Sequence, residues 1–478
     1  MGHKGREKGR VKSNKLNNLN IINCWQQGQL VELEITDVSD RGDGIGRFEE
    51  RVVFVPQTVT GDRTLVRLVR VKPQYAFGKL EKLLAPSPQR IRPQCIVANK
   101  CGGCQWQHIS YEYQLAAKQN QVLQALSRIG KFDNPLVPFT LASSSPFGYR
   151  NKATYPLKRS AQGNVQAGYY RTSSHNLINL NQCPIQDERL NPLLAEVKGD
   201  IQKRGWSIYN EELNRGKLRH LSLRIGQGSG EMLLTLVSRN KNLAQLEQQG
   251  KEWLERYPSL KGVCLNLNPH TTNVIFGSQT LTIAGQSYLT EEFAGLKFQL
   301  LPQTFFQVNT EAAERLLDVI YQKLDLQGEE VLVDAYCGIG TFTLPLAKRV
   351  KFAVGIELQA DSIEQGKLNA QANNVENVSF ICGTVKTCLP QLNFIPDVLL
   401  LDPPRKGCDA AVIETILQIK PQRLVYVSCK PATLARDLNL LCKSGIYQLS
   451  CVQPVDFFSQ TAHVESVAFL KLVAHPNK

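Results

Sequence analysis

The sequence predicts an α/β fold: a doubly wound parallel sheet at the C-terminal end, a mixed central domain before it, and a small β-barrel near the N-terminus. Three observations predict it. From about residue 324 short apolar runs alternate with helical stretches, the rhythm of parallel strands joined by crossover helices. From 28 to about 84, short alternating segments are separated by Gly-rich turns, as in a closed sheet. Between them, 147–285 mixes strand and helix patterns. The expected divisions are a basic disordered tail over 1–24, the barrel over 25–87, the central domain over 88–290 and the doubly wound domain over 291–478.

In the barrel, Val31, Leu33 and Ile35 alternate with polar residues, and 40–46 reads as a turn. Val52, Phe54 and Val55 follow, then Val66, Leu68 and Val71. Arg63, Arg67, Arg70, Lys72, Lys79 and Lys82 are interleaved with Tyr75 and Phe77, a mixture suited to phosphate contact and base stacking. Residues 111–129 predict a helix with Leu115, Val122, Leu126 and Ile129 on one side and Gly130 at its end. Segments 168–171 and 218–224 read as strand edges carrying positive charge. The C-terminal elements are expected as strands at 331–333, 353–356, 378–381, 398–401 and 424–427, with helices at 342–349, 361–372 and 432–441.

The 478 residues are 42% apolar and 21% charged, a globular balance, with a net charge of +14. That excess points to a polyanionic partner, most commonly nucleic acid. No apolar run approaches the roughly 18 residues that span a bilayer. The basic N-terminus lacks the apolar core of a secretory signal, so a cytoplasmic protein without membrane association is expected. Thirteen cysteines, an odd number in a long chain, argue against a secreted disulfide framework.

Cys95, Cys101 and Cys104 form a C-x5-C-x2-C group around Gly102-Gly103. Two sulfurs separated by two residues in a turn can face one metal centre. Cys183, just before Pro184, is the best candidate for a fourth ligand; the spacing does not separate zinc from a [4Fe–4S] cluster. Cys264, Cys337 and Cys382 read as small core residues.

From Val331 to Thr341 the chain reads Val-Leu-Val-Asp-Ala-Tyr-Cys-Gly-Ile-Gly-Thr: a strand ending near Asp334, then a tight glycine turn. The next strand ends at Glu357, where an acid can take both hydroxyls of a ribose. Thr343 stands where a dinucleotide site wants a third glycine, which favours S-adenosylmethionine over NAD. Asp402-Pro403-Pro404-Arg405 follows another buried strand and would face the same crevice. Cys429, in Ser428-Cys429-Lys430-Pro431, lies between a strand and a helix start. There the helix dipole and Lys430 would lower a thiol pKa. Such a thiolate suits addition to carbon 6 of uracil, which makes carbon 5 nucleophilic; a separate base must then remove the carbon 5 proton. Glu465 is the candidate base, with His463 a weaker one.

Together, the segment from Ser428 through Asp437, Asp402-Pro403-Pro404-Arg405 and His463-Val464-Glu465-Ser466 resemble the RNA uracil-5-methyltransferases. The cysteine pattern and the barrel resemble the 23S ribosomal RNA branch, which carries an N-terminal TRAM domain, an RNA-binding barrel of the oligonucleotide-binding type, and a [4Fe–4S] cluster. The resemblance implies a Rossmann-like methyltransferase domain, Cys429 as nucleophile and Glu465 as base. It implies that Gln307 contacts the cofactor or target base, that Tyr336, Glu357 and Asp402 line the S-adenosylmethionine pocket, and that Cys95, Cys101, Cys104 and Cys183 hold the cluster. It also implies that the helix near 111–129 packs on the catalytic domain, and that the protein acts as a monomer on 23S ribosomal RNA; the T-loop uridine of transfer RNA is the alternative. Lys430, Ser459 and Gly383-Thr384 depart from the family pattern, the last pair where many methyltransferases place an acid near adenine.

Overall fold

The structure, a computed structural model, describes residues 25–473; the expected basic tail over 1–24 lies outside the described residues. Five strands, Leu30–Val38, Gly44–Phe48, Arg51–Val55, Arg63–Val71 and Tyr75–Ala85, close into a barrel in the order first, second, third, fifth, fourth. Alternation drives the closure: Val31, Leu33, Ile35, Val53, Val55, Val66 and Leu68 share one core while intervening residues face outward. The turn is shorter than 40–46, because Gly44 already pairs with Val38 and with Val55. A Cβ there would overlap the Thr58 hydroxyl, so only glycine fits.

The central sheet has seven strands in the spatial order Gln279–Gly285, Leu260–Leu267, Met232–Ser238, Leu218–Ile225, Lys152–Arg159, Val165–Tyr170 and Leu177–Asn179. Helices Leu190–Lys203 and Leu246–Arg256 cover it with Leu193, Val197, Ile201 and Trp253. The sequence predicts a basic edge at 218–224, but this strand is central and its arginines are buried. Arg219 donates to the carbonyls of Asn268, His270 and Thr272, and Arg224 to those of Leu301 and Thr304. The terminal N–H groups of both guanidiniums are spent on loop carbonyls, with the buried Arg224 Nε left without a partner, so these side chains tie down loops and are not available to a polyanion.

The C-terminal sheet has the order Val378–Cys382, Phe352–Glu357, Val331–Ala335, Val398–Leu401, Arg423–Ser428, Glu465–Leu472 and Tyr447–Val455. The first five strands are parallel; the last two pair antiparallel. The predicted helix at 342–349 is shorter, Thr343–Ala347, since the chain must turn directly into Phe352–Glu357. Helix Tyr111–Arg128 buries Val122, Ala125 and Leu126 in the same core as Leu434, Leu438 and Val452, the packing that the resemblance implies. A smaller cluster of Val38, Val59, Trp106, Ile109, Ala117 and Ala462 joins barrel, helix and C-terminal domain. Among the described residues no helix is long and apolar enough to cross a membrane.

Candidate active site

Strand Val331–Ala335 has Phe352–Glu357 on one side and Val398–Leu401 on the other, so strand order reverses there. In doubly wound sheets ligands bind at such a reversal, beyond the carboxyl ends of the strands. Tyr336, Gly338, Glu357 and Asp402 all lie at those ends. Tyr336, Gly338 and Gly340 have φ of +78°, +57° and +84°. For the tyrosine that is a strained conformation, of the kind kept at functional turns. A Cβ at Gly338 would meet nothing within 4 Å, so the backbone faces open space that a ligand can enter. The Glu357 carboxylate accepts from the amides of Gly338 at 3.2 Å and Gln359 at 2.8 Å, which fixes it at the mouth of the turn. Thr343 donates to Asp334 at 2.6 Å. An open glycine turn bordered by acceptor-only groups fits a hydroxylated ribose carrying a cationic centre. The Tyr336 hydroxyl is engaged with the Cys408 thiol. Cys264 and Cys337 are buried as predicted, whereas Cys382 is exposed beside Leu358, at the end of an outer strand where little packs over it.

Sheet register brings the expected nucleophile Cys429 and the expected base Glu465 to neighbouring strand ends. Strands Arg423–Ser428 and Glu465–Leu472 pair antiparallel, ending with Ser428 opposite Ser466, one residue short of both Cys429 and Glu465. Leu401, the residue before Asp402, pairs with Tyr426 on the other side. Three strand ends therefore deliver a thiol and two carboxyls to one place. Cys429 is half-buried and Glu465 buried.

The electrostatics correct one expectation. Lys430 and the helix start were predicted to lower the Cys429 pKa, but burial pushes the thiol up to about 11, with Glu465 and Asp402 adding to the rise. The largest opposing charge is that of Arg405. Burial, reinforced by Asp402, holds Glu465 well above the carboxylate range. Asp402 is raised to about 7 by burial and by Asp334, and Asp334 likewise to about 7 by burial and by Glu357, against its bond from Thr343. A line of acids thus runs from Glu357 to Cys429, each disfavouring ionisation of the next, as suits a crevice that receives a cation. Partial burial, Arg405 and Lys118 lower the His463 pKa, and its exposed ring lies edge-on to Phe458 at 6.1 Å.

Gln307 sits in the loop before helix Thr310–Leu324, held by Asn151, which donates to the carbonyls of Gln307 and Val308 at 2.9 Å. Its side-chain amide has no hydrogen-bond partner among the described residues, and Phe305 beside it is 72% exposed. The capping residue Asn309 reaches the carbonyl of Phe457 at 3.3 Å, which brings this loop to the one preceding Glu465.

Sequence reasoning missed the groups that hold that second loop. Lys118 and Asp456, both fully buried, pair at 2.5 Å. Tyr111 and Ser459 also donate to Asp456, at 2.7 and 2.6 Å. Gln114 exchanges hydrogen bonds with Gln460, whose carbonyl accepts from the Trp106 amide at 3.0 Å. The signal was present: Lys118 interrupts the apolar stripe of its helix between Leu115 and Val122.

The cysteine set comes from loops. The loop 95–104 zips onto the strand end at 170–172 through Gly102 to Tyr170 and Thr172 to Lys100. Cys104 and Cys183 pack in one small cluster with Tyr149 and Ile185. Burial, with smaller contributions from the neighbouring thiols, pushes Cys104 up to about 12 and Cys183 to about 11, and raises Cys101. Donors already aim at three sulfurs: the Gly103 amide at Cys101, Gln107 at Cys104, and the amides of Ile185 and Gln186 at Cys183. Among the described residues, however, no three Cys, His, Asp or Glu side chains are arranged as ligands of a common metal ion. The four thiols share one neighbourhood without closing on one centre.

Residues 110–386 and 389–473 match the tRNA (uracil-5-)-methyltransferase family, and 25–80 match the TRAM domain. An uncharacterized RNA methyltransferase of Nostoc sp. is 63% identical, covering 94% of this chain and 97% of the relative. One from Bacillus cereus is 40% identical, covering 94% and 98%. The crystal structure of Pyrococcus abyssi tRNA (uracil-54, C5)-methyltransferase with S-adenosyl-L-homocysteine superimposes with a TM-score of 0.74 at 26% identity, covering 92% of this chain and all of that one.

Proposed function

The chain belongs to the tRNA (uracil-5-)-methyltransferase family and carries a TRAM domain, and on that premise we propose that Cys429 and Glu465 act as nucleophile and base in methylating carbon 5 of a uridine. The observation that supports this assignment is the ladder that ends with Ser428 opposite Ser466, one residue short of both Cys429 and Glu465, with Asp402 on the neighbouring strand end. It is an RNA methyltransferase with S-adenosylmethionine as methyl donor. The donor supplies a methyl group on a positively charged sulfonium.

The target base must first leave its stack, at a cost of a few kcal/mol. The Cys429 proton then leaves to solvent and its sulfur bonds to carbon 6. The ring electrons shift onto the carbon 4 oxygen and return through carbon 5, which takes the methyl group as its bond to the sulfonium sulfur breaks and a neutral thioether leaves. Glu465, which must first release its own proton to solvent and whose raised pKa then makes it the stronger base, accepts the carbon 5 proton, the ring double bond reforms, and the carbon 6–sulfur bond breaks with the thiolate as leaving group. Asp402 and Asp334 present negative charge to the methyl donor, Glu357 takes its ribose hydroxyls, and Tyr336 shapes the turn. The unpartnered amide of Gln307, beside exposed Phe305, is free to meet the flipped base.

We read Cys95, Cys101, Cys104 and Cys183 as ligands of a [4Fe–4S] cluster, supported by their shared neighbourhood and by the donors aimed at three sulfurs. Their separation requires the loop 95–104 to tighten around the metal. Protein purified without oxygen should show the visible absorbance of iron–thiolate charge transfer; a colourless, zinc-containing protein would contradict the cluster.

The four-cysteine pattern favours 23S ribosomal RNA as substrate. The likeness to a transfer-RNA enzyme of Pyrococcus abyssi favours the T-loop uridine as the second reading. Incubation with labelled methyl donor and separated RNA pools, followed by mapping of 5-methyluridine, decides between them. Label confined to transfer RNA removes the ribosomal reading, and label in neither removes both.

A further inference from the structure

A cleft of about 510 Å³ opens at the far end of the central sheet, lined by Arg239, Lys241, His270, Ser278 and Gln279 over an apolar floor that includes Leu267. No acidic side chain lines it. Two other clefts differ in this respect: the one beside Cys183 carries Asp187 and Glu188, and the one beside Thr310 carries Glu292, Glu311 and Glu314. Basic and hydroxyl or amide groups over an apolar floor match the phosphates and sugars of a single strand.

The cleft is built to hold its shape. Tyr209 lies between two guanidinium groups, with Arg219 and Arg239 each 5.1 Å from its ring. Arg219 fixes the loop bearing His270 through three carbonyls. Arg239 is anchored to the carbonyl of Asn214 at 2.9 Å, whereas Lys241 is exposed and makes no side-chain bond among the described residues. The cleft also adjoins the target-base loop: Thr280 donates to Gln303 at 3.3 Å, and Lys152 donates to the carbonyl of Pro302 at 2.9 Å while its ammonium sits 5.0 Å from the Phe276 ring. Thr280 alternates with the cleft residues Gln279 and Leu281, so loop and cleft lie on opposite faces of the sheet, and the path from Gln307 to Lys241 runs around its edge strand Gln279–Gly285.

We propose that this cleft holds the RNA backbone flanking the target uridine, a second grip separate from the barrel. This rests on the RNA uracil-5-methyltransferase reading. Lys241 and His270 contact phosphates, and the apolar floor carries a sugar or base.

The test is binding of a fluorescent oligouridylate to the full chain across a salt series, using Lys241→Glu, His270→Glu and the double variant. Arg239 is left in place because it supports the fold. The double variant should bind about tenfold more weakly at low salt. Its logarithmic salt slope should shrink by about 1.4, for two lost phosphate contacts on a single strand. Its melting temperature, its S-adenosylhomocysteine affinity and its kcat at saturating RNA should stay as in the parent. Unchanged RNA affinity and slope in the folded double variant would overturn the cleft, as would a fall in kcat at saturating RNA. Failure of the parent itself to bind the oligouridylate would instead overturn the RNA reading from which the cleft follows.

Discussion

Two places in this molecule gather groups that repel one another when ionised, and they are built in opposite ways. At the end of the C-terminal sheet, Cys429, Glu465 and Asp402 are set by strand register, and their thiol and carboxyl pKa values rise through burial and mutual repulsion. Beside the central sheet, Cys95, Cys101, Cys104 and Cys183 hang from irregular segments and share a neighbourhood without a common centre. A paired sheet can hold like groups together before any ligand arrives, because the ladder hydrogen bonds fix the backbone. Loops lack that constraint, and their groups close only around a cation. The first site has its groups held in place by paired strands; the second, on the cluster reading proposed above, would close only around a metal.

The largest effect that would sharpen this contrast is at Cys429. Cys429→Ala should lower methyl transfer by about 10⁴-fold or more while S-adenosylhomocysteine still binds; residual activity within tenfold of the parent would break the account. Next, Glu465→Gln should slow turnover by about 10²- to 10⁴-fold and leave the methylated base attached to Cys429, visible as a protein–RNA band that survives denaturation. Equal turnover, or slow turnover with no such band, removes Glu465 as the base.

The Asp402→Asn change tests the electrostatics. The Asp402 pKa is raised to about 7 in the folded chain, above its unfolded value, so its contribution to stability is full below about 4 and is lost as pH rises through about 7. The ligand-free Asn variant should therefore melt higher than the parent above neutral pH, by a margin that shrinks through mild acid and vanishes below about pH 4, while losing activity. A variant that melts lower above neutral pH would show the carboxylate already paired. The smallest effect is expected in the loop site: Cys183→Ser should abolish metal binding and lower the melting temperature, yet reduce methyl transfer at saturating RNA by less than about tenfold, since the paired strands remain. A loss as deep as that of Cys429→Ala would erase the distinction between the two sites.

Much of this was legible in the sequence where one element carries the signal. The strand–glycine turn from Val331 to Thr341 and the alternation in the barrel translate directly into structure, because period and turn chemistry are local. The antiparallel pair Tyr447–Val455 and Glu465–Leu472 was not, and with it went the reason for Glu465, whose importance lies in a partner strand far along the chain. The same holds for Lys118, whose partner Asp456 is on another element. The 218–224 segment misled because charge alone does not tell a solvent edge from arginines buried against carbonyls. The Cys429 thiol misled for a related reason: its burial, and then its neighbours in space Glu465 and Asp402, outweigh what the helix start and Lys430 offer in sequence.

The central claim is that Cys429 adds to the pyrimidine ring. RNA containing 5-fluorouridine tests it directly, because fluorine at carbon 5 leaves no proton for a base to remove and holds the adduct on the enzyme. With methyl donor present, the account predicts a stable complex whose RNA-linked peptide contains Cys429, forming faster as pH rises because the reactive thiolate is scarce below about 11. Full methyl-transfer activity on ordinary RNA, with no adduct on the fluorinated RNA or with one mapping to another cysteine, would contradict it.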